Sequence, residues 1–355
     1  MALKKVAVIV AGSWGTALAR VLVDNGHIVK LWTRNAEQAA QINQERRNEK
    51  FLPGALLPEG ITATTDMAYA VSDAEAVLFV APSSAMRDVA QQASGSLPKD
   101  ALVIHATKGF ESDTLKRMST VLAEELGRPE QQIVVLSGPS HAEEVINRHP
   151  TTIVVASKEI SFAEAAQDLF MNDAYFRVYT NSDVIGVETA GAIKNIIALG
   201  AGLSDGLGFG DNAKAALITR GLAEISRLGV AMGANPLTFA GLAGVGDLIV
   251  TCTSQHSRNW RAGSMLAQGL PLSDVLERMG MVVEGVRTTK AAHVLANKHH
   301  VEMPITDQLF AVLFENTSPE QAVGALMGRV RTHENEQQAV FHNKSINPDQ
   351  VNPGL

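Results

Sequence analysis

Short apolar runs alternate with amphipathic segments through the first half of the chain. Residues 6–10 form a β-branched apolar run, which is typical of a strand buried on both faces. Residues 16–25 carry apolar side chains at helical spacing, and Gly26 follows as a helix-ending residue. Further strands are predicted at His27–Trp32, Ala76–Val80, Ala101–His105, Ile133–Leu136 and Ile153–Ala156. Because helical segments lie between most of them, the pattern predicts an α/β fold with a doubly wound, mostly parallel sheet.

The pattern changes near Val184. Helical periodicity then dominates, with segments at Glu188–Ala201, Asn212–Met232, Pro236–Ala240, Leu272–Met279 and Thr288–Lys298. The sequence therefore predicts an N-terminal α/β domain over residues 1–187 and a mostly α-helical domain over residues 188–335. Residues 336–355 show little periodicity and are expected to form a poorly ordered tail.

Composition and charge narrow the class of protein. The 355 residues include 46% hydrophobic and 19% charged residues, a globular balance. The formal net charge of −7 argues against general nucleic-acid binding, which depends on basic surface. Cys252 is the single cysteine, so we expect neither an internal disulfide nor a cysteine-cluster zinc site. We also expect no other metal site, no membrane anchor, and a cytoplasmic protein.

A glycine-containing turn follows the first strand. The segment V-A-G-S-W-G, residues 10–15, lies where a G-x-G-x-x-G fingerprint of a Rossmann-type domain would lie. Gly12 would let backbone approach a pyrophosphate, and Gly15 would let helix pack on strand. Val10 replaces the first glycine; where the turn needs a glycine-only torsion, valine adds strain of about 1–3 kcal/mol. The turn alone fits either a dinucleotide site or a simple strand–turn–helix packing motif.

The end of the second strand bears on the choice of cofactor. An acidic residue there would bind the ribose 2′-hydroxyl of NAD, but the strand ends in Thr33-Arg34. A guanidinium suits a 2′-phosphate, so Arg34 favours NADP(H), with NAD(H) possible. A solvated surface charge is the alternative interpretation of Arg34.

Polar residues follow later strands and interrupt the helical half. Lys108 follows a strand, and Lys194 lies in an apolar, small-residue helix, where desolvation would lower its pKa toward a range useful for proton transfer. Otherwise Lys194 is a lysine whose head reaches water. Asp247 is expected at a helix N-cap, and the alternative to a place in a ligand site is that it serves only as that cap. Arg258 suits a phosphate group, and a surface cation is the alternative.

Together these segments resemble the bacterial NAD(P)-dependent sn-glycerol-3-phosphate dehydrogenases from Lys5 to Arg331. The motifs that carry the resemblance are A-G-S-W-G-T-A-L-A from Ala11, A-T-K-G from Ala106, S-G-P-S from Ser137, G-A-I-K-N from Gly191, A-L-I-T-R-G-L-A-E from Ala216, S-R-N from Ser257, V-V-E-G from Val282 and E-M-P-I from Glu302.

The resemblance implies hydride transfer between C2 of sn-glycerol 3-phosphate and a nicotinamide. Residues 1–187 would then form the dinucleotide-binding domain, and residues 188–335 the helical substrate and catalytic domain. The usual bacterial direction is reduction of dihydroxyacetone phosphate, which supplies phospholipid synthesis. Lys194 matches the family's general acid/base. Substrate-contacting positions are matched by Lys108, Gly138, Ser140, Lys194, Asp247, Ser257, Arg258 and Asn259, with Asn195 and Thr251 as further candidates. Cofactor-contacting positions are matched by Ser13, Trp14, Arg34, Lys108, Ala142, Arg258, Val282 and Glu284, to which the glycine turn adds Gly12 and Gly15.

The chain departs from the family pattern at Val10, where the family has glycine. We therefore expect weakened dinucleotide binding. Two other functions stay open: a dehydrogenase of the same architecture acting on another small phosphorylated or hydroxyacid compound, and a cofactor-impaired paralogue or sensor. Glycine- and alanine-rich helices in the second half are compatible with the homodimer that we expect.

Overall fold

Eight strands form one sheet in the computed structural model, which describes residues 3–331, 333 and 334. The strands are β1 (Lys5–Ile9), β2 (Ile28–Trp32), β3 (Ile61–Thr64), β4 (Ala76–Phe79), β5 (Leu102–His105), β6 (Val134–Ser137), β7 (Thr151–Ala156) and β8 (Phe176–Asn181). They lie in the order β3-β2-β1-β4-β5-β6-β7-β8, and neighbours run parallel except β6 and β7. The predicted doubly wound, mostly parallel sheet is confirmed.

Two strands were missing from the prediction. The four-residue β3 has the sequence ITAT and contains two threonines, so it offers no apolar run. β8 alternates buried and exposed residues at the edge of the sheet, as FRVYTN shows. Both are edge strands, and an edge strand need not be apolar on both faces.

Helices cover both faces of the sheet. They are α1 (Ser13–Asp24), α2 (Ala36–Glu45), α3 (Met67–Val71), α4 (Met86–Ser94), α5 (Met118–Leu126), α6 (Ala142–Val145) and α7 (Ile160–Phe170). The side chains of alternate β1 residues lie in the hydrophobic layers on opposite faces of the sheet. Val6 and Val8 pack with residues of α1 and α7, whereas Ala7 and Ile9 pack with residues of α4 and α5. The period-2 geometry of a strand explains why these runs are apolar at every position.

The second half is helical. Its helices are α8 (Val184–Gly206), α9 (Asp211–Ala231), α10 (Asp247–Thr253), α11 (Arg258–Ala267), α12 (Leu272–Met279), α13 (Glu284–His299), α14 (Pro304–Phe314) and α15 (Pro319–Met327). The segment Pro236–Ala240, predicted as a helix, forms a short 3₁₀ helix. The last strand ends at Asn181 and α8 begins at Val184, just before the predicted domain boundary between residues 187 and 188. The predicted tail over 336–355 lies outside the described residues.

α8 is the central helix of this half, and it is buried along nearly its whole length. Gly202 lies so close to α11 that a Cβ there would meet the Trp260 carbonyl oxygen at 1.9 Å. In the described part of the chain, α8 is also the one helix long and apolar enough to cross a membrane. Because 94% of its apolar window is buried inside the protein, α8 has the character of a core helix.

Candidate active site

Three elements bring two lysines onto one aspartate. Lys194 comes from α8, Asp247 from the start of α10, and Lys108 from the loop after β5. Lys194 Nζ donates to Asp247 Oδ1 and to Thr251 Oγ1, each at 2.6 Å. Lys108 Nζ donates to Asp247 Oδ2 at 2.7 Å and to the Gly138 carbonyl oxygen at 3.0 Å. A single carboxylate thus bridges two ammonium groups.

Burial sets the protonation of this triad. Lys194 is 5% exposed and Asp247 1%. Burial lowers the pKa of Lys194 to about 8, although the Asp247 carboxylate pulls in the opposite direction. Burial also raises the pKa of Asp247, but Lys108 and Lys194 outweigh it and hold that pKa below its ordinary value. The interpretation of Lys194 as a desolvated lysine is therefore favoured over a lysine that reaches water, and its pKa suits proton transfer near neutral pH.

The predicted N-cap role of Asp247 is wrong. Residues 242–246 form a π-helical turn that runs directly into α10, so Asp247 has helical backbone angles of φ −71° and ψ −29°. A residue inside a continuous helix does not cap that helix. The side chain of Asp247 turns instead toward the two lysines.

The glycine turn after β1 is built as the fingerprint requires, with valine in the glycine position. Val10 has φ +84°, in the region that favours glycine. A Cβ on Gly15 would lie 2.2 Å from the Val10 carbonyl oxygen, whereas a Cβ on Gly12 would meet nothing within 4 Å. The turn therefore packs tightly against the strand at Gly15 and stays open at Gly12.

This turn fits the pyrophosphate of a dinucleotide. Among the described residues, no side chain caps α1 and its first turn contains no acidic residue, so the N-terminal amides are free to donate to an anion. Ser13 Oγ donates to the Phe51 carbonyl oxygen at 2.9 Å, and Trp14 is partly buried. Arg34 is exposed just beyond β2. Since these segments follow parallel strands, they lie at one edge of the sheet, where such folds bind nucleotides.

Comparisons with known proteins agree with this geometry. The sequence profile of the NAD-dependent glycerol-3-phosphate dehydrogenase N-terminus matches residues 5–163, and that of the C-terminus matches residues 183–324. The chain belongs to the NAD-dependent glycerol-3-phosphate dehydrogenase family. It is 59% identical over 332 residues to glycerol-3-phosphate dehydrogenase [NAD(P)+] of Geobacillus thermodenitrificans, covering 94% of this chain and 97% of the relative.

Another relative and a solved structure extend the comparison. Glycerol-3-phosphate dehydrogenase [NAD(P)+] of Bacillus subtilis is 58% identical over 335 residues, which is 94% of this chain and 97% of that protein. A crystal structure of glycerol-3-phosphate dehydrogenase from Coxiella burnetii is 39% identical, with a TM-score of 0.87, and covers 92% of this chain and 99% of its own. The resemblance drawn from the motifs is therefore confirmed at the level of family.

Two asparagines join the helices around the triad of this family member. Asn259 Nδ2 donates to Asn195 Oδ1 at 2.9 Å, and the Gly285 amide donates to Asn259 Oδ1 at 2.8 Å. α8, α11 and α13 are thereby tied together. Ser257 caps α11 by accepting from the Trp260 amide at 3.2 Å. Arg258, the first residue of α11, is exposed and makes no hydrogen bond or ion pair to residues that the structure describes, so it can bind an anion.

The loop after β6 approaches the triad. Gly138 has φ +120°, and a Cβ there would lie 3.1 Å from Ile153 Cα, so glycine is required. Ser140 Oγ donates to the Gly138 carbonyl oxygen at 2.9 Å. Ala142 is buried at the start of α6. Since Gly138 also accepts from Lys108, the loops after β5 and β6 are joined.

Glu284 contacts a residue that sequence reasoning missed. The Glu284 carboxylate accepts from the Ser83 amide at 3.1 Å and from Ser83 Oγ at 2.8 Å. A Cβ on Gly109 would lie 3.3 Å from Glu284 Oε2, and Val282 is partly buried just before α13. Ser83 follows the carboxyl end of β4, beside the point where the strand order reverses. That position is the signal that could have identified it.

Proposed function

We propose that this chain catalyses the reversible, NAD(P)H-dependent reduction of dihydroxyacetone phosphate to sn-glycerol 3-phosphate. The observation that carries the proposal is the buried Lys194–Asp247–Lys108 triad, because it supplies a proton donor beside net positive charge. The family match and the names of the relatives support the same reaction.

Lys194 is the general acid in this proposal. A bound NADPH or NADH supplies the hydride that reduces the C2 carbonyl of the substrate. Lys194 Nζ donates a proton to the C2 oxygen as negative charge develops there, and it recovers that proton in the oxidation direction. Asp247 keeps Lys194 charged despite its burial, and Lys108 adds a second positive charge that stabilises the developing alkoxide.

Arg258 is the proposed phosphate ligand. Its guanidinium fits two phosphate oxygens, and its place at the first turn of α11 adds backbone amides directed at an anion. Ser257, Asn259, Gly138 and Ser140 are proposed to complete the substrate shell. Because Asn259 already binds Asn195 and Gly285, we expect it to act mainly by holding that shell in shape.

The proposed cofactor site runs from the glycine turn to α13. Gly12, Ser13, Trp14 and Gly15 would hold the pyrophosphate, and Arg34 would reach the 2′-phosphate of NADP(H). Lys108, Ala142, Arg258, Val282 and Glu284 are proposed as the remaining contacts. The relatives are named for NAD(P)+, so both NADP(H) and NAD(H) fit, and the exposed Arg34 favours NADP(H).

We further propose a soluble, cytoplasmic homodimer that supplies glycerophospholipid synthesis. Burial of α8 supports a soluble protein. An apolar groove of about 860 Å³ beside α9, α14 and α15, with Met327 82% exposed at its margin, supports self-association. Sedimentation of the purified chain at its working concentration tests this: a mass of a single chain would rule out the dimer.

Initial rates of NADPH oxidation with dihydroxyacetone phosphate test the function. We expect turnover by the natural chain and a loss of roughly 10²- to 10⁴-fold in Lys194→Ala, since that is the usual contribution of a general acid. NADPH binding, followed by fluorescence, should survive. Lys290→Ala, which removes an exposed lysine of α13, is the matched control and should behave as the natural chain does.

Two results would reject the proposal. Activity with 6-phosphogluconate or a hydroxyacid but not with dihydroxyacetone phosphate would indicate another substrate. Unchanged turnover in Lys194→Ala would remove that lysine from the mechanism.

A further inference from the structure

Glu188 is a buried carboxylate with no part in the proposed chemistry. It lies on α8 six residues before Lys194 and is 5% exposed. Its partners are on the segment that follows β5: the Ser119 amide donates to Oε1 at 2.8 Å, Ser119 Oγ to Oε2 at 2.6 Å, and Arg117 Nη1 to Oε2 at 2.6 Å. Its contacts therefore join the core helix of the second half to the sheet half.

The same carboxylate reaches the strand that leads to Lys108. His105 Nε2, at the end of β5 and fully buried, lies 3.2 Å from Glu188 Oε1. Lys108 follows three residues later. On α8, six residues correspond to about 9 Å of helix between Glu188 and Lys194. The two lysines that meet on Asp247 are thus each carried by an element that Glu188 contacts.

We propose that Glu188 is a positioning residue, whose carboxylate fixes the start of α8 against the β5–α5 segment and thereby holds Lys194 opposite Lys108. A carboxylate suits this task because its oxygens accept directional bonds from several fixed donors at once. An apolar residue at this position would leave the buried Ser119 amide without its acceptor and would deprive Arg117 of one of its two carboxylate partners. The proposal deepens the proposed function and rests on it.

One other hydrogen bond joins α8 to the loop after β5: Asn195 Nδ2 donates to the Lys108 carbonyl oxygen at 3.4 Å, a long bond between uncharged groups. Two further contacts of α8 do not replace Glu188. Asp183 caps the helix through the Gly186 amide, but its other bonds go to Asn235 and Thr238 of the helical half. Gly191 approaches Ser137, with a Cβ position 3.1 Å from Ser137 Oγ, yet such packing has no directional preference. Glu188 supplies the charged, directional contact between α8 and the sheet half.

Glu188→Gln tests the proposal, because it keeps the size of the side chain and removes its charge. We expect kcat for dihydroxyacetone phosphate reduction to fall roughly 10- to 100-fold, the range for small misplacement of a catalytic group. The KM for NADPH should stay within about twofold, since the glycine turn is untouched. The alkaline limb of the kcat profile, which reports Lys194, should move upward as α8 loosens and water reaches the ammonium.

Glu130→Gln is the matched control. Glu130 accepts from Arg117 Nη2 at 2.6 Å and, among the described residues, makes no hydrogen bond or ion pair with α8. It should lower stability without moving the alkaline limb. Amide hydrogen exchange over residues 189–196 gives a readout independent of turnover: we expect about tenfold faster exchange in Glu188→Gln than in Glu130→Gln.

Equal exchange and equal kcat in the two variants would overturn the positioning role. If Glu188→Gln does not fold, Ser119→Ala replaces it, because that variant removes one of the hydrogen bonds to Glu188. It should lower kcat and speed amide exchange by less than expected for Glu188→Gln, and no change in either would also overturn the role. Should the natural chain fail to reduce dihydroxyacetone phosphate, the proposed function fails, but the exchange comparison still decides whether Glu188 holds α8.

Discussion

Asp247→Asn is the sharpest perturbation of the candidate site. The substitution keeps the shape of the side chain but removes the negative charge between Lys194 and Lys108, whose nitrogens lie 2.6 and 2.7 Å from its oxygens. Two ammonium groups then face each other in a buried site. Since burial already lowers the pKa of Lys194 to about 8 against the pull of Asp247, loss of that pull lowers the pKa further.

The size of the effect follows from the pKa. A neighbouring opposite charge is worth about 1–3 pKa units, so the variant's Lys194 should titrate near pH 6, taking about two units as the central value. At about pH 7.5, a group with a pKa of 8 is roughly 76% protonated, whereas one with a pKa of 6 is about 3% protonated. Reduction needs the protonated amine, so the rate at that pH should fall about 25-fold from protonation alone.

The assay is the pH profile of kcat for dihydroxyacetone phosphate reduction. Reduction by the natural chain should be lost as pH rises through about 8, and that limb should move about two units lower in Asp247→Asn. The oxidation direction should show the opposite sign, with activity gained above the same pKa. A uniform loss at every pH, with the limb still near 8, would refute the argument that Asp247 acts through the charge of Lys194. Circular dichroism of both proteins at each pH controls for unfolding.

Other substitutions test separate parts of the molecule. Val10→Gly should raise the free energy of unfolding by about 1 kcal/mol, because strain of about 1–3 kcal/mol exceeds a glycine flexibility penalty of about 0.5–1 kcal/mol; urea unfolding measures this. Fluorescence titration of both proteins with NADPH tests the expected weakening of dinucleotide binding by Val10, which an unchanged dissociation constant would contradict. Arg34→Ala should lower kcat/KM for NADPH about tenfold or more and leave kcat/KM for NADH unchanged, since a charge-assisted bond is worth about 1.5–3 kcal/mol. Equal losses of kcat/KM with the two cofactors would make Arg34 a plain surface cation. Burial raises the pKa of Glu224 to about 7 from 4.5, so the stability that this carboxyl contributes is present below 4.5 and lost as pH rises through 7. The free energy of unfolding of the natural chain, measured in urea, should therefore fall by up to about 3 kcal/mol relative to that of Glu224→Gln as pH rises over that range. The same pH dependence in both proteins would contradict the assignment.

The sequence could predict six of the eight strands of the sheet, but neither the two edge strands nor the strand order. Most of these six strands stand out because they are apolar on both faces, as β1 is with Val6 and Val8 on one side of the sheet and Ala7 and Ile9 on the other. The reversal at β1 and β4 depends on how crossover helices pack, which no local pattern records. The antiparallel pairing of β6 with β7 likewise follows from tertiary packing.

The site was predictable as a set of positions, but not as a set of contacts. Lys194 attracts notice because a charge in an apolar helix needs a partner. Nothing in the sequence says that the partner is Asp247, 53 residues away, or that Lys108 shares it. The local pattern predicts Asp247 at an N-cap because aspartate commonly caps helices. The π-helical turn before Asp247 places it inside a continuous helix, and that turn forms in a glycine-rich stretch without a strong local preference.

Val10 shows how a turn can keep its shape when the residue that usually permits it is absent. Its amide donates to the Trp32 carbonyl oxygen at 3.1 Å, so the end of β1 stays paired with β2. Its carbonyl oxygen lies where a Cβ on Gly15 would be only 2.2 Å away, so α1 is held close to the strand from the other side. With both sides fixed, the chain passes through φ +84° whichever residue stands there, and the valine takes up the strain. The fingerprint is therefore a requirement on backbone geometry that the fold enforces. The first glycine of the fingerprint lowers the strain of the turn, but the turn forms without that glycine.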